Sequence, residues 1–325
     1  MCSVLVTGIG GNVGQGILRN IQNSGLPVNI IGCNVIGLSS GNHLASKVYQ
    51  IPYADHPDYI SEIIRIIEQE DIKLIIPSTD LESYHLAAER KKLRCPVAAS
   101  DEDVCKAYLD KHETFLRHTE FNIPFVDTVL LEDGIPSEWD DVIIKPKQGR
   151  GSRGIQINPK NPSDYFGQGY VAQRYIEGEE ITTAFYVTKS GQVHGQITLV
   201  RELENGATVF CEVVSDYDEK LRPIIGGMVK AGGLRGSVNI QSRVNNQGEV
   251  FPFEVNCRIS GTNSIRSQFG FQDVKYLLQE YLLDISPDPC RITKGKALRI
   301  LMDVIYPEVT ATGTAINSST PHYLY

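Results

Sequence analysis

Three polar side chains late in the chain are spaced to do chemistry together. In Val250-Phe251-Pro252-Phe253-Glu254-Val255-Asn256-Cys257-Arg258, apolar or small residues alternate with polar ones, the period of a strand, so Glu254, Asn256 and Arg258 are expected on one face. A carboxylate and an amide oxygen are hard donors that suit Mg2+, and a guanidinium suits a phosphoryl oxygen or a carboxylate. A polar strand face in water has the same pattern, so spacing alone leaves both readings open.

A second candidate lies upstream. Residues 141–155 read as strand, basic loop and strand. Lys145, Lys147, Arg150 and Arg153 concentrate positive charge, and Gly149, Gly151 and Gly154 allow close backbone approach; together they suit a polyphosphate. A hairpin with solvated charges is the plainer alternative. No Gly-Lys-Ser/Thr follows and no helix starts there, so this is not a Walker A loop. Before it, Asp110-Lys111 opens a short helix that ends ahead of Asn122. After it come a strand over Tyr170–Ile176, the linker Glu177-Gly178-Glu179-Glu180 and a strand over Ile181–Thr188. A carboxylate in such a linker could hold a ribose, and backbone groups could hold an adenine.

The elements that position these residues begin with a strand at Ser3–Thr7, a glycine-rich turn at Gly8–Gly14, and a helix marked by Ile17, Leu18 and Ile21. The turn has the spacing of short-chain dehydrogenases, yet the next strand, Val28–Asn34, ends in Asn34 where a ribose-binding acid belongs. No Tyr in the chain has a Lys four residues later, so a dehydrogenase Tyr/Lys pair is also missing. A helix entered at Pro57, a strand over Lys73–Pro77, a helix over Leu81–Lys92 and a strand over Pro96–Ala99 continue the alternation, which implies a parallel sheet covered on both sides. Ser100-Asp101-Glu102-Asp103 resembles a capping box that opens the next helix. A strand is also expected over Ala297–Ile305, followed by a polar tail from Thr310 to Thr320.

The 325 residues suffice for two or three domains. A net charge of −8 argues against a general nucleic-acid surface. No apolar run approaches the roughly 18 residues of a membrane span. The seven cysteines form no C-x-x-C pair, which fits neither a zinc site nor a disulfide framework and is expected of a cytoplasmic protein.

In this order, Asp110-Lys111, Lys145-Pro-Lys-Gln-Gly-Arg-Gly-Ser-Arg-Gly154, Gln173-Arg-Tyr-Ile-Glu-Gly-Glu-Glu180 and Glu254-Val-Asn-Cys-Arg-Ile-Ser260 resemble the ATP-grasp superfamily, and within it the ATP-grasp half of carbamoyl phosphate synthase large chains. The resemblance covers roughly residues 3 to 305. It implies an α/β chain, α+β in its lid: a Rossmann-like pre-ATP-grasp domain over 1–100, linker helices and a lid subdomain over 101–176, a central antiparallel-sheet subdomain over 177–305, and a C-terminal tail over 306–325. It implies ATP and Mg2+ as cofactors, with Mn2+ as a substitute ion. Lys111, Lys145 and the loop Gly149, Arg150, Gly151, Ser152, Arg153 and Gly154 would meet the phosphates. Gln173, Arg174, Tyr175 and Ile176 would meet adenine, Glu180 the ribose, and Gln241, Glu254 and Asn256 the metal; Arg258, with Lys145, would stabilise the transferring phosphoryl group. Gln173 and Cys257 depart from the commoner Glu and Pro of the family, and neither change removes a charged group.

The implied reaction joins a small-molecule carboxylate to an amine or related nucleophile through an acyl phosphate, releasing ADP and phosphate. Arg201 and Arg266 are candidates for a substrate carboxylate, although an ion pair would explain Arg201 equally well. The rival readings are a carbamoyl phosphate synthase-like part of a multi-subunit enzyme, an NAD(P)-dependent oxidoreductase, and a noncatalytic ATP-binding subunit. No nucleic-acid or membrane partner is expected, and a homodimer is allowed for.

Overall fold

A computed structural model describes residues 2–149, 151, 153–309 and 315–325. The first sheet is parallel, in the order β3 (Lys47–Gln50), β2 (Val28–Asn34), β1 (Cys2–Val6), β4 (Ile72–Ile76). Helices α1 (Asn12–Asn23), α2 (Tyr59–Glu70) and α3 (Asp80–Ala88) connect or follow these strands. Strand periodicity decides where the side chains go: Leu5, Ile31 and Ile75 enter one core, while Val4, Val6, Ile30, Leu74 and Ile76 enter the other. The expected strand at 96–99 is reduced to a single parallel bridge between Ile75 and Val97.

Helices α4 (Glu102–Leu109) and α5 (Lys111–Glu120) lead into a small antiparallel sheet. Its order is β5 (Thr128–Leu130), β8 (Tyr170–Arg174), β6 (Val142–Pro146), β7 (Gln156–Ile157). Only Leu131, Ile144 and Ala172 form the buried core of this unit, beside the half-buried Trp139 and Val129. So little apolar burial is the mark of a unit of low local stability, able to move as a lid.

The largest sheet has six strands. They run β13 (Val250–Asn256), β12 (Gly236–Val244), β9 (Glu179–Val187), β10 (Val193–Glu204), β11 (Ala207–Val214), β14 (Lys296–Leu298). One face packs Phe185, Val238 and Ile240 against Leu221, Ile225 and Met228 of helix α6 (Asp218–Lys230). Sequence periodicity does not mark α6, because Pro223, Gly226 and Gly227 are poor helix formers and packing overrides their cost. Both cores extend from the first sheet into this one, so the N-terminal and central parts are joined by shared apolar burial.

Two local expectations are corrected. Asp101 caps α4 without a side-chain hydrogen bond, because its carboxylate turns to Arg90 at 3.4 Å. The capping box forms instead at Thr79 and Glu82, where the Thr79 hydroxyl accepts from the Glu82 amide at 3.2 Å and a Glu82 carboxylate oxygen accepts from the Thr79 amide at 3.1 Å. The strand expected over 297–305 splits into β14 and a short β15 (Val304–Ile305), which pairs with β16 (Tyr323–Leu324). The tail folds back on the first domain, where the Ile316 carbonyl accepts from Asn42 and the Ser318 amide donates to the Ala45 carbonyl.

Removal of the hydroxyl in Thr79→Ala is expected to lower the unfolding free energy by about 1 kcal/mol. Urea unfolding checks this, and an unchanged midpoint would show that the cap carries no weight.

Candidate active site

The site grows out of the pairing of β12 with β13. Gln241 stands opposite Glu254 and Asn239 opposite Asn256. Ile240 and Val255, one residue out of phase, are buried in the core, so the alternating polar residues face the other way. Glu254 Oε1 accepts from Gln241 Nε2 and from Asn256 Nδ2, both at 3.2 Å. Strand β13 ends at Asn256, so Arg258 belongs to the following segment and not to the strand face expected for it. Arg258 still reaches the same cavity, where its Nε and Nη2 donate to Asp80 Oδ2 at 2.9 and 2.8 Å.

This cavity of about 430 Å3 lies between the lid, the six-stranded sheet and the N-terminal domain. From the lid and its approach come Lys111, Lys145, Gly149, Gly151 and Arg153; from the hinge come Gln173, Arg174, Tyr175, Ile176 and Glu180. Arg201, Gln241, Glu254, Asn256 and Arg258 line the opposite wall. The structure therefore brings together nearly all the residues singled out in the sequence. Gly154 sits at the base of the loop and not in the cavity wall, and there a Cβ would come within 3.0 Å of Tyr170 Oη. Arg150 and Ser152 lie outside the described residues.

The loop closes against the sheet. Gly151 and Gly206 have φ of +68° and +75°, and a Cβ on Gly206 would fall 2.8 Å from the Gly151 carbonyl oxygen. Only glycine permits both the left-handed backbone and this approach of the lid tip to the turn between β10 and β11.

Three arginines of the cavity are paired with acids. Glu180 Oε1 accepts from Arg201 Nη2 at 2.8 Å, and Arg243 Nη2 stands 3.5 Å from Glu180 Oε2. Arg201 Nη2 also donates to Gln241 Oε1 at 2.6 Å, so the ion pair foreseen for Arg201 is present. Lys111 opens α5 and forms no ion pair among the described residues. Lys145 is only 3% exposed, and its Nζ donates weakly to the Phe253 carbonyl at 3.5 Å. Burial holds the Lys145 ammonium down to a pKa of about 7, against the opposing pull of Glu254.

Several expected roles meet obstacles. Gln241 gives its carbonyl to Arg201 and its amide nitrogen to Glu254, so in this conformation it braces Glu254 and does not offer an oxygen to a metal. Glu254 and Asn256 do fit a hard cation, since Mg2+ typically takes one or two protein carboxylates and draws other donors from phosphates and water. The Tyr175 amide is already donated to the Asp141 carbonyl at 3.0 Å, leaving the Ile176 amide without a partner among the described residues. Arg266 is not in the cavity: it is fully buried, paired with Asp273, and donates to Ser237 and Ser260. Cys257 is buried with its thiol 3.7 Å from that of Cys105.

Four contributors escaped the sequence reading. Asp80, Arg243, Asn239 and Arg299 all line the cavity. Asp80 carried a usable signal, because Thr79-Asp80-Leu81-Glu82 has the capping-box spacing that sets Asp80 at the first helical position.

The comparisons with known proteins agree with this geometry. Residues 109–262 match the family described as the ATP-grasp domain, and residues 4–97 match the PylC-like N-terminal domain. The chain carries an ATP-grasp domain. No curated protein matches the sequence. Solved structures share the fold of this chain: N5-carboxyaminoimidazole synthetase from Staphylococcus aureus, complexed with ADP, aligns at 11% identity and a TM-score of 0.72, covering 89% of this chain and 79% of that one. L-amino acid ligase from Bacillus licheniformis aligns at 13% identity and 0.69, covering 87% and 74%. The biotin carboxylase domain of Hydrogenobacter thermophilus 2-oxoglutarate carboxylase, with MgADP and bicarbonate, aligns at 18% and 0.68, covering 90% and 73%. At these identities the likeness concerns the fold. Among the described residues, no helix is long and apolar enough to cross a membrane.

The buried lysine yields a prediction for stability. With a folded pKa of about 7 against an ordinary value of 10.5, the unfolded chain binds more protons between those limits, so this group's contribution rises with pH across that window. Below pH 7 the full cost of burying the ammonium is present. Lys145→Met should therefore stabilise the protein more at pH 6 than at pH 9, as read by urea unfolding at both; an equal effect at the two pH values would refute the neutralised lysine.

Proposed function

We propose that the chain is an ATP-dependent ligase that activates a carboxylate as an acyl phosphate and passes the acyl group to an amine or related nucleophile. The observation that carries the reading is the convergence of Lys111, Lys145, the glycine-rich lid, Glu254 and Asn256 on one cavity. In this reading an acceptor carboxylate oxygen attacks the γ-phosphorus and ADP leaves; the nucleophile then attacks the acyl carbon and expels phosphate.

The barrier is electrostatic, since two anions must meet, and the cationic wall opposes their repulsion. Lys111 and Lys145 neutralise phosphate oxygens, and arriving phosphates recharge the half-neutral Lys145. The lid, resting on Gly206, excludes water. Ile176 offers its free amide to adenine, and Glu180, held by Arg201 and Arg243, retains acceptor capacity for ribose hydroxyls. Glu254 and Asn256 would hold Mg2+, which supplies charge neutralisation at the transferring phosphoryl group. Arg258 is oriented towards that centre by Asp80.

Glu254→Ala should reduce ADP formation by about a hundredfold or more, the scale of one lost transition-state electrostatic contact, while thermal unfolding stays near wild type. Turnover within a few-fold of wild type, or AMP as the nucleotide product, would overturn the reading.

A further inference from the structure

Among the described residues, the arginines on the sheet side of the cavity are paired with acids, with one exception. Arg201 and Arg243 share Glu180, and Arg258 has Asp80. Arg299 also lines the cavity and has no carboxylate partner among the described residues. Among the described residues its side chain makes one hydrogen bond, from Nη2 to the Gly261 carbonyl at 2.8 Å.

Topology gives that bond its meaning. Arg299 follows β14, which lies at the opposite edge of the six-stranded sheet from the metal-site strand β13. Gly261 lies only five residues after β13 ends. That contact ties the segment just after β13 to the stretch that follows the far edge strand, and Arg258, Gly261 and Arg299 line the same cavity. Asn12 and Val13, from the first turn of α1, line the same cavity, and the Val13 carbonyl accepts from Asn263 Nδ2 at 3.2 Å. The N-terminal domain is thereby fixed beside this end.

Burial lowers the Arg299 pKa from its ordinary value; Cys211 opposes that shift and Arg19 adds to it. Arg19 itself forms no ion pair among the described residues and is half-buried on α1. A half-buried arginine on a cavity wall with no acid opposite it among the described residues makes a site that is completed by an anion. Nucleotide phosphates are already served by Lys111, Lys145 and the lid, so the anion belongs to the other substrate.

We infer that Arg299 binds a second anionic group on the acceptor, making the substrate class an acid that bears a further carboxylate or phosphate besides the carboxylate that is activated. This rests on the ligase reading above and narrows its substrate. Arg299 touches the acceptor's second anion and not the reacting atoms, so it sets specificity and affinity.

The test is ADP release from the full chain with saturating MgATP, comparing propionate and serine (no second anion) with succinate and aspartate (second carboxylate) and O-phosphoserine (phosphate), each with hydroxylamine as a common nucleophile. Acids with a second anion should be used at least tenfold better in kcat/KM; the succinate and O-phosphoserine arms show whether the anion is carboxylate or phosphate. Arg299→Ala should raise the KM for the preferred acid by about 10- to 100-fold, the range of a lost charge-assisted contact, with kcat much less affected, and Arg299→Lys should recover part of that loss. ADP affinity, measured by calorimetry on each variant, serves as the control for folding. Equal use of propionate and succinate, an unchanged acceptor KM in Arg299→Ala, or a parallel loss of ADP affinity would overturn the inference while ADP release by any acid still upholds the ligase. Absence of acid-stimulated ADP release across the panel would overturn both.

Discussion

The site depends on the register of β12 between β9 and β13. Gln241 pairs with Thr182 on one side and Glu254 on the other, while Arg243 pairs with Glu180. Side chains alternate with a period of two, so a slip of β12 by one residue would send Gln241 into the core and bring Ile240 into the cavity, and the same slip of β13 would exchange Glu254 and Asn256 with Val255. Burying that carboxylate unpaired would be prohibitive, and the apolar residues in phase with the core are what lock the alignment. The core on one face thus aligns the chemistry on the other.

The lid poses the opposite problem. It must admit a ligand, and its own core is only three buried residues deep. At its tip the lid meets the sheet by a glycine-to-glycine approach, Gly151 on Gly206, which lacks side-chain burial and so can separate at small cost, while its root is held by the Lys147 carbonyl accepting from the Lys111 amide at 3.0 Å. Lys145 lies at the root of this unit, on β6, where it is shielded from water by the surrounding walls. A cation held near neutrality in a closed site is one that gains most from an arriving anion.

The N-terminal domain has a Rossmann-like architecture and contributes to the shared cavity. Its glycine-rich turn leads into α1, whose first residues line the common cavity, and its α3 delivers Asp80 to Arg258. The capping box at Thr79 and Glu82 fixes where that helix starts, and the helix start fixes where the carboxylate points. A local backbone device in one domain thereby orients a cation in another. Burial of Arg266 against Asp273, far from solvent, belongs to the scaffold beneath the segment that carries Arg258.

By itself, the sequence determined the types of most elements around the site, the polar face of Glu254 and Asn256, and the basic glycine loop, because hydrophobic period and backbone permissiveness are local properties. The first two parallel strands, the lid hairpin and the strand carrying the acid follow from those patterns. The partners of each charge were decided only by the tertiary structure. Arg201 finds Glu180 across 21 residues and Arg258 finds Asp80 across 178, and no local pattern encodes such pairings. Arg266 looked like a ligand residue and proved to be a buried strut, while Arg299 gave no signal at all. What distinguishes them is whether an acid lies opposite in the folded chain, and sheet order and domain docking settle that.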